Sequence, residues 1–94
     1  MSYIPTLLIL KKDLDKNKEL IIDGDWQYKV VDSKTSRSEK GKTVMGYLKY
    51  IYQEYTSVKI GGIELFLCTP QLSAFSTEFR KKLKELQIEY AESN

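Results

Sequence analysis

The residue types that carry most enzyme chemistry are scarce in this 94-residue chain, which has no histidine and one cysteine, Cys68. Histidine is the commonest general base near neutral pH, and without it Ser–His and Cys–His nucleophile pairs cannot form within the chain. A single cysteine cannot make an internal disulfide, and one cysteine without histidine argues against a zinc site. We therefore predict a protein that is not an enzyme and that has no metal or cofactor site.

Two short motifs are similar to known ligand-binding loops, and each departs from its pattern. The run 41–43 reads Gly-Lys-Thr, as at the end of a phosphate-binding loop, but Ser36 stands where that loop needs its first glycine. The acidic run that begins at Asp13 has the spacing of the first calcium ligands. Lys18 and Gly24 then stand where a calcium loop needs glycine and glutamate. Neither motif predicts a site.

Cys68 ends an apolar run and is followed by Thr-Pro-Gln. Residues 63–90 resemble the opening strand–helix–strand of a glutaredoxin-like redox domain, which would imply a reactive thiol at a helix start. The Cys-x-x-Cys of such domains is absent here. An enzyme subunit or thiol protein that uses Cys68 is therefore an alternative, and a buried structural cysteine is the preferred interpretation.

The polar segment 32–42 carries the net charge of the chain. It has four basic and two acidic side chains, which equals the formal charge of +2 for the whole sequence. Its composition predicts a flexible loop, and loops of this length in compact domains are often functional. Contact with nucleic acid, contact with a protein partner and simple solvation are all compatible with it. The candidate binding residues are Lys34, Arg37, Lys40 and Lys42.

Seven tyrosines are many for this length, and tyrosine favours interfaces because it combines a large apolar ring with a polar tip. Helical spacing assigns Tyr47, Tyr52 and Tyr55 to the core side of a helix, with Tyr50 exposed on the opposite side. The candidate interface residues are Tyr3, Tyr50 and Tyr90.

Hydrophobic periodicity and turn signals predict a strand over 3–12, a turn or short helix over 13–18 and a hairpin over 18–31. After the polar segment they predict a helix over 43–55, a hairpin over 57–68 and a helix that starts at Thr69-Pro70 and ends near 86–87. A terminal strand or a packed tail follows. This order predicts a single α+β domain over residues 1–94. We expect a small, mostly antiparallel sheet of about four to five strands in two hairpin units, with two amphipathic helices packed on one face. The sheet face that receives these helices is expected to include Trp26, Tyr28 and Val30.

The longest apolar run, 7–10, is far shorter than a membrane span, and residues 1–10 lack the features of a secretory signal. We therefore expect no membrane association and a cytoplasmic location, which would be the host cytoplasm if the gene is viral. The leading hypothesis is a small non-enzymatic binding protein, of viral or mobile-element origin, that acts on a protein partner, for example by inhibiting a host enzyme. A strand over residues 1–12 at a sheet edge would also allow a homodimer by strand pairing.

Overall fold

The computed structural model of the chain describes residues 4–26, 43–70 and 73–93. Its elements, in chain order, are β1 (Thr6–Leu10), α1 (Lys11–Lys16), α2 (Lys18–Asp23), α3 (Val44–Glu54), β2 (Val58–Ile60), β3 (Ile63–Cys68), α4 (Ser73–Glu85) and β4 (Tyr90–Ser93). The strands form one antiparallel sheet in the order β2-β3-β1-β4. The predicted α+β class with a small antiparallel sheet is confirmed, although the described residues form four helices rather than two.

The first strand lies inside the sheet, where β1 pairs with β3 on one side and with β4 on the other. A homodimer by pairing of this strand would need the strand at a sheet edge, and its central place removes that route. Pro5 precedes β1, so its missing N–H removes no hydrogen bond from the strand ladder.

The first predicted hairpin, over 18–31, is also wrong in its first half. Residues Lys18–Asp23 form α2, which buries Ile21 completely. Gly24 has extended backbone, with φ −69° and ψ 150°, instead of forming a hairpin turn. A Cβ atom at Gly24 would lie 2.0 Å from Nε1 of Trp26, because the indole folds back and donates a hydrogen bond to the Leu20 carbonyl at 3.2 Å. Tyr28 and Val30, the rest of the predicted face, lie outside the described residues.

The helix predicted over 43–55 corresponds to α3. The Thr43 hydroxyl accepts a hydrogen bond from the Gly46 N–H at 2.9 Å and caps the helix start. Leu48 and Ile51 are fully buried, as the predicted stripe requires. Lys49 Nζ donates to the Gly24 carbonyl at 3.3 Å, which holds the end of α2 against α3.

Two glycines form the turn between β2 and β3. Gly61 and Gly62 have φ of 61° and 81°, the left-handed region that a tight hairpin turn needs at both central positions. The paired strands bring Val58 opposite Leu65 and Ile60 opposite Ile63.

The last helix, α4, buries Phe75, Phe79 and Leu83. It ends where Gln87 takes a left-handed φ of 58° and the Ile88 N–H donates to the Leu83 carbonyl at 2.8 Å. This turn places the buried Ile88 in the core and directs the chain into β4, the terminal strand that was one of the two predicted endings.

The core lies between one face of the sheet and the helices. The buried sheet residues are Leu7 and Ile9 of β1 and Phe66 and Cys68 of β3. The helical side chains that pack against them include Leu14, Ile21, Leu48, Ile51, Phe79 and Leu83.

A buried carboxylate joins the two ends of the described chain. Asp13 in α1 is only 5% exposed, and its Oδ2 accepts a hydrogen bond from the Glu89 N–H at 2.9 Å. Lys16 Nζ lies 3.7 Å from the other carboxylate oxygen. Asp13 therefore holds the residue that leads into β4 against α1.

Candidate functional site

The sheet has a second face, opposite the core, and its residues follow from the strand register. Leu8 lies opposite Leu67 and Ala91, and Leu10 lies opposite Leu65. Since paired residues in antiparallel strands point to the same side, these side chains share one face with the residues of the β2–β3 hairpin. We call this surface the open face: Thr6, Leu8, Leu10, Val58, Ile60, Ile63, Leu65, Leu67, Ala91 and Ser93.

The open face is apolar and exposed to solvent. Ile60 is 53% exposed, Ile63 51%, Leu67 41% and Val58 37%. An antiparallel sheet that faces water on one side normally carries polar side chains there. The strand residues of the open face are instead eight apolar residues, a threonine and a serine. Glu89, which precedes β4 and lies opposite Leu10, adds one carboxylate at the border of this face.

Within the part of the chain that the structure describes, the buried side chains of the helices all belong to the core on the other side of the sheet. The other strongly exposed large apolar residue there is Leu20, 47% exposed on α2. A lone exposed leucine is ordinary, whereas a contiguous apolar surface indicates an interaction site. The open face is therefore the candidate functional site.

A shallow hollow of about 250 Å³ lies on the open face over β1 and its neighbours. Leu8, Leu10 and Leu65 line it together with Glu89, Tyr90 and Ala91. An aliphatic or aromatic side chain from another molecule would bury its apolar surface in such a recess, as the central anchor residues of protein interfaces do.

Charged side chains gather at one end of the open face, beyond Leu10 and Ile63. They line a second hollow of about 510 Å³ and include Lys11, Lys12 and Glu64. An apolar centre with charges at its border is the usual composition of a protein interface.

A hydrogen bond between two ionisable side chains joins α1 to α3. The Tyr52 hydroxyl donates a hydrogen bond to Asp15 Oδ1, and Lys11 Nζ lies 3.3 Å from Asp15 Oδ2. The bond from Tyr52 holds the pKa of the Asp15 carboxyl below its usual value, and the same bond raises the pKa of Tyr52 to about 12. Near neutral pH Asp15 therefore stays charged and Tyr52 stays protonated, so the pair fixes two helices and is not poised to exchange protons.

Cys68, the other candidate for chemistry, is 3% exposed and ends β3 on the core side of the sheet. Such burial fits the preferred structural role, because a reactive thiol has to be accessible. Among the described residues, no group of three or more His, Cys, Asp or Glu side chains could hold a metal ion.

Neither of the two predicted interface tyrosines that the structure describes is strongly exposed. Tyr50 is half-buried rather than exposed, because its ring packs against Tyr55 at a centroid distance of 5.6 Å. Tyr90 is half-buried beside the core, opposite Ile9. Tyr3 lies outside the described residues.

The predicted basic binding residues, Lys34, Arg37, Lys40 and Lys42, also lie outside the described residues, so contact of segment 32–42 with nucleic acid stays a prediction. The helices that the structure describes include none long and apolar enough to cross a membrane.

Sequence reasoning missed the open face because β3 has large apolar residues on both sides. Strict alternation singles out Ile63, Leu65 and Leu67 as an apolar face, yet the intervening Phe66 and Cys68 are the residues that enter the core. The available signal was that, apart from Glu64 and Thr6, both alternate sets of β3 and of the neighbouring β1 are apolar. A strand with this pattern is usually covered on both faces.

Comparison of the chain with protein-family models, with curated proteins and with solved structures found no match.

Proposed function

We propose that this chain is a non-enzymatic binding protein that attaches to another protein through its open face. The observation that carries the proposal is the largely apolar and solvent-exposed surface across a four-stranded sheet. A partner that covers this surface would supply the second layer that an apolar sheet face requires.

The size of the open face supports a role in binding. Four strands spaced about 4.8 Å apart and about 17 Å long cover roughly 300 Å² in plan. The largest apolar patch on a typical monomer is about 300–600 Å², and such patches are often functional. Removing roughly 300 Å² of apolar surface from water contributes about 7 kcal/mol before the cost of association is subtracted.

The chemistry of the remaining residues supports binding rather than catalysis. The chain has no histidine, Cys68 is buried, and Asp15 and Tyr52 are occupied with each other. The open face itself contains no group that titrates near neutral pH.

A pair of matched variants tests the proposal. Ile63→Lys places a charge in the open face, whereas Leu20→Lys makes the same kind of change at a similarly exposed position on α2. Immobilised wild-type protein and the Leu20→Lys variant should retain the same proteins from a cell extract, and Ile63→Lys should lose them. Equal retention by all three proteins, or retention by none, contradicts binding through the open face.

A further inference from the structure

The outer edge of β4 presents backbone groups that no other described residue pairs with. β4 is the last strand of the sheet and pairs with β1 on its inner side. The Leu10 N–H donates to the Glu89 carbonyl at 3.3 Å, so the backbone groups of Glu89 face β1. Since this direction alternates along an antiparallel strand, Ala91 also faces β1, and the N–H and C=O groups of Tyr90 and Glu92 point away from the sheet.

This edge is held in place by bonds to two helices. The Glu89 N–H donates to Asp13 Oδ2 at 2.9 Å, which fixes the start of the strand against α1. Arg80 Nη1 donates to Glu92 Oε1 at 3.0 Å, which fixes its second half against α4. The edge is therefore already extended, and a partner that pairs with it pays little for ordering it.

A hollow of about 670 Å³ lies along the same edge, between β4 and the end of α4. It leaves room for side chains of a chain laid beside β4. Its lining consists of Lys84, Gln87, Ile88, Glu89, Tyr90 and Glu92.

Backbone donors and acceptors at strand spacing are matched by the backbone of another extended chain, as in peptide binding by β-strand addition. The other edge strand of the described sheet, β2, has three residues with Lys59 at its centre, and short strands and edge lysines discourage such pairing. At the β4 edge, the Glu89 carboxylate has no ion-pair partner among the described residues. It favours a basic side chain on the added strand, whereas β4 of a second copy would bring further carboxylates.

We infer that an extended segment of another protein, with a basic side chain near Glu89, binds along β4 as an added strand. This surface is the sheet edge, so the inference goes beyond binding through the open face and does not depend on it.

A capped peptide of alternating valine and lysine is the probe, and amide hydrogen exchange followed by NMR is the measurement. In the free protein the Tyr90 and Glu92 amides should exchange faster than the Ala91 amide. Saturating peptide should slow exchange at Tyr90 and Glu92 by at least about tenfold. The same peptide with glutamate in place of lysine should bind about two- to fivefold more weakly.

Two substitutions at one position separate backbone pairing from charge. Glu92→Pro removes the carboxylate and the outward N–H but no bond to β1, and should weaken peptide binding by at least about tenfold. Glu92→Ala removes the carboxylate alone and should stay within about threefold of the wild type. Circular dichroism of both variants establishes that they fold.

Equal peptide binding by the two folded variants, or a wild type that binds neither peptide, would overturn the inference. So would slow exchange of Tyr90 and Glu92 in the free protein, because the edge would then be paired within the chain. Protection that rises with protein concentration alone would make a second copy the partner instead. Ile63→Lys on the open face should bind the peptide as the wild type does, so the extract experiment decides the proposed function separately.

Discussion

The bond between Asp13 and the Glu89 N–H is the long-range polar contact whose removal should destabilise the fold most clearly. Asp13→Ala removes the only carboxylate that the structure places against this N–H among the described residues, and the N–H is left part-buried without its acceptor. A hydrogen bond to a charged group contributes about 1.5–3 kcal/mol, and an unsatisfied buried donor adds to the loss. The ion pair with Lys16 adds little, because that lysine side chain is 74% exposed. We expect Asp13→Ala to lower the free energy of unfolding by about 2–3 kcal/mol.

Urea denaturation followed by circular dichroism measures this loss. For a domain of this size a change of about 2 kcal/mol corresponds to a decrease in Tm of roughly 8–16 °C. Lys16→Ala is the matched control, since it removes the ion pair and leaves the bond to Glu89; its cost should stay below about 0.5 kcal/mol. Asp13→Asn keeps an acceptor oxygen and should recover part of the loss. Equal and small effects of Asp13→Ala and Lys16→Ala would refute the reasoning.

Three further changes test single interactions. The Ser76 hydroxyl is buried without a hydrogen-bond partner among the described residues, so Ser76→Ala should raise the free energy of unfolding by about 1 kcal/mol in urea denaturation; a lower value would show that the hydroxyl has a partner. Gly24→Ala should displace the Trp26 indole and cost about 1–3 kcal/mol, and since Trp26 is the single tryptophan, unchanged fluorescence would contradict the close approach. The raised pKa of Tyr52 favours its protonated form in the folded state, so this contribution is fully present below pH 10 and disappears as the pH rises through about 12. The stability difference between wild type and Tyr52→Phe should therefore shrink between pH 10 and 12 in guanidinium denaturation, and a constant difference would show that the hydrogen bond to Asp15 does not cause the shift.

The parts of the fold that could be predicted from the sequence depend on neighbouring residues. The turn at Gly61-Gly62 needs only two residues that accept positive φ, and the start of α3 needs only a hydroxyl at Thr43 to accept the first free N–H. The apolar stripe of α4 repeats at helical spacing, so Phe75 and Phe79 reach the core together.

The parts that could not be predicted depend on residues far away in the chain. The apolar run before Asp23-Gly24 suits a strand as well as a helix. In the structure it forms α2, which contacts α3, and Lys49 of α3 donates a hydrogen bond to the Gly24 carbonyl. The central place of β1 depends on pairing with β3 and β4, whose sequences lie more than 50 residues away. No local pattern in β1 distinguishes a central strand from an edge strand when both of its faces are apolar.

The same ambiguity bears on the proposal that a partner covers the open face. A sheet with helices on one side can remain monomeric if its other side is polar, and the sequence of a strand then alternates between apolar and polar residues. Here, apart from Thr6 and Glu64, β1 and β3 are apolar at both sets of alternate positions, which is close to the pattern of strands covered on both faces. The described helices bury their apolar side chains against one face of the sheet only. The other face has an apolar composition similar to that of a protein core, yet several of its residues are exposed to solvent.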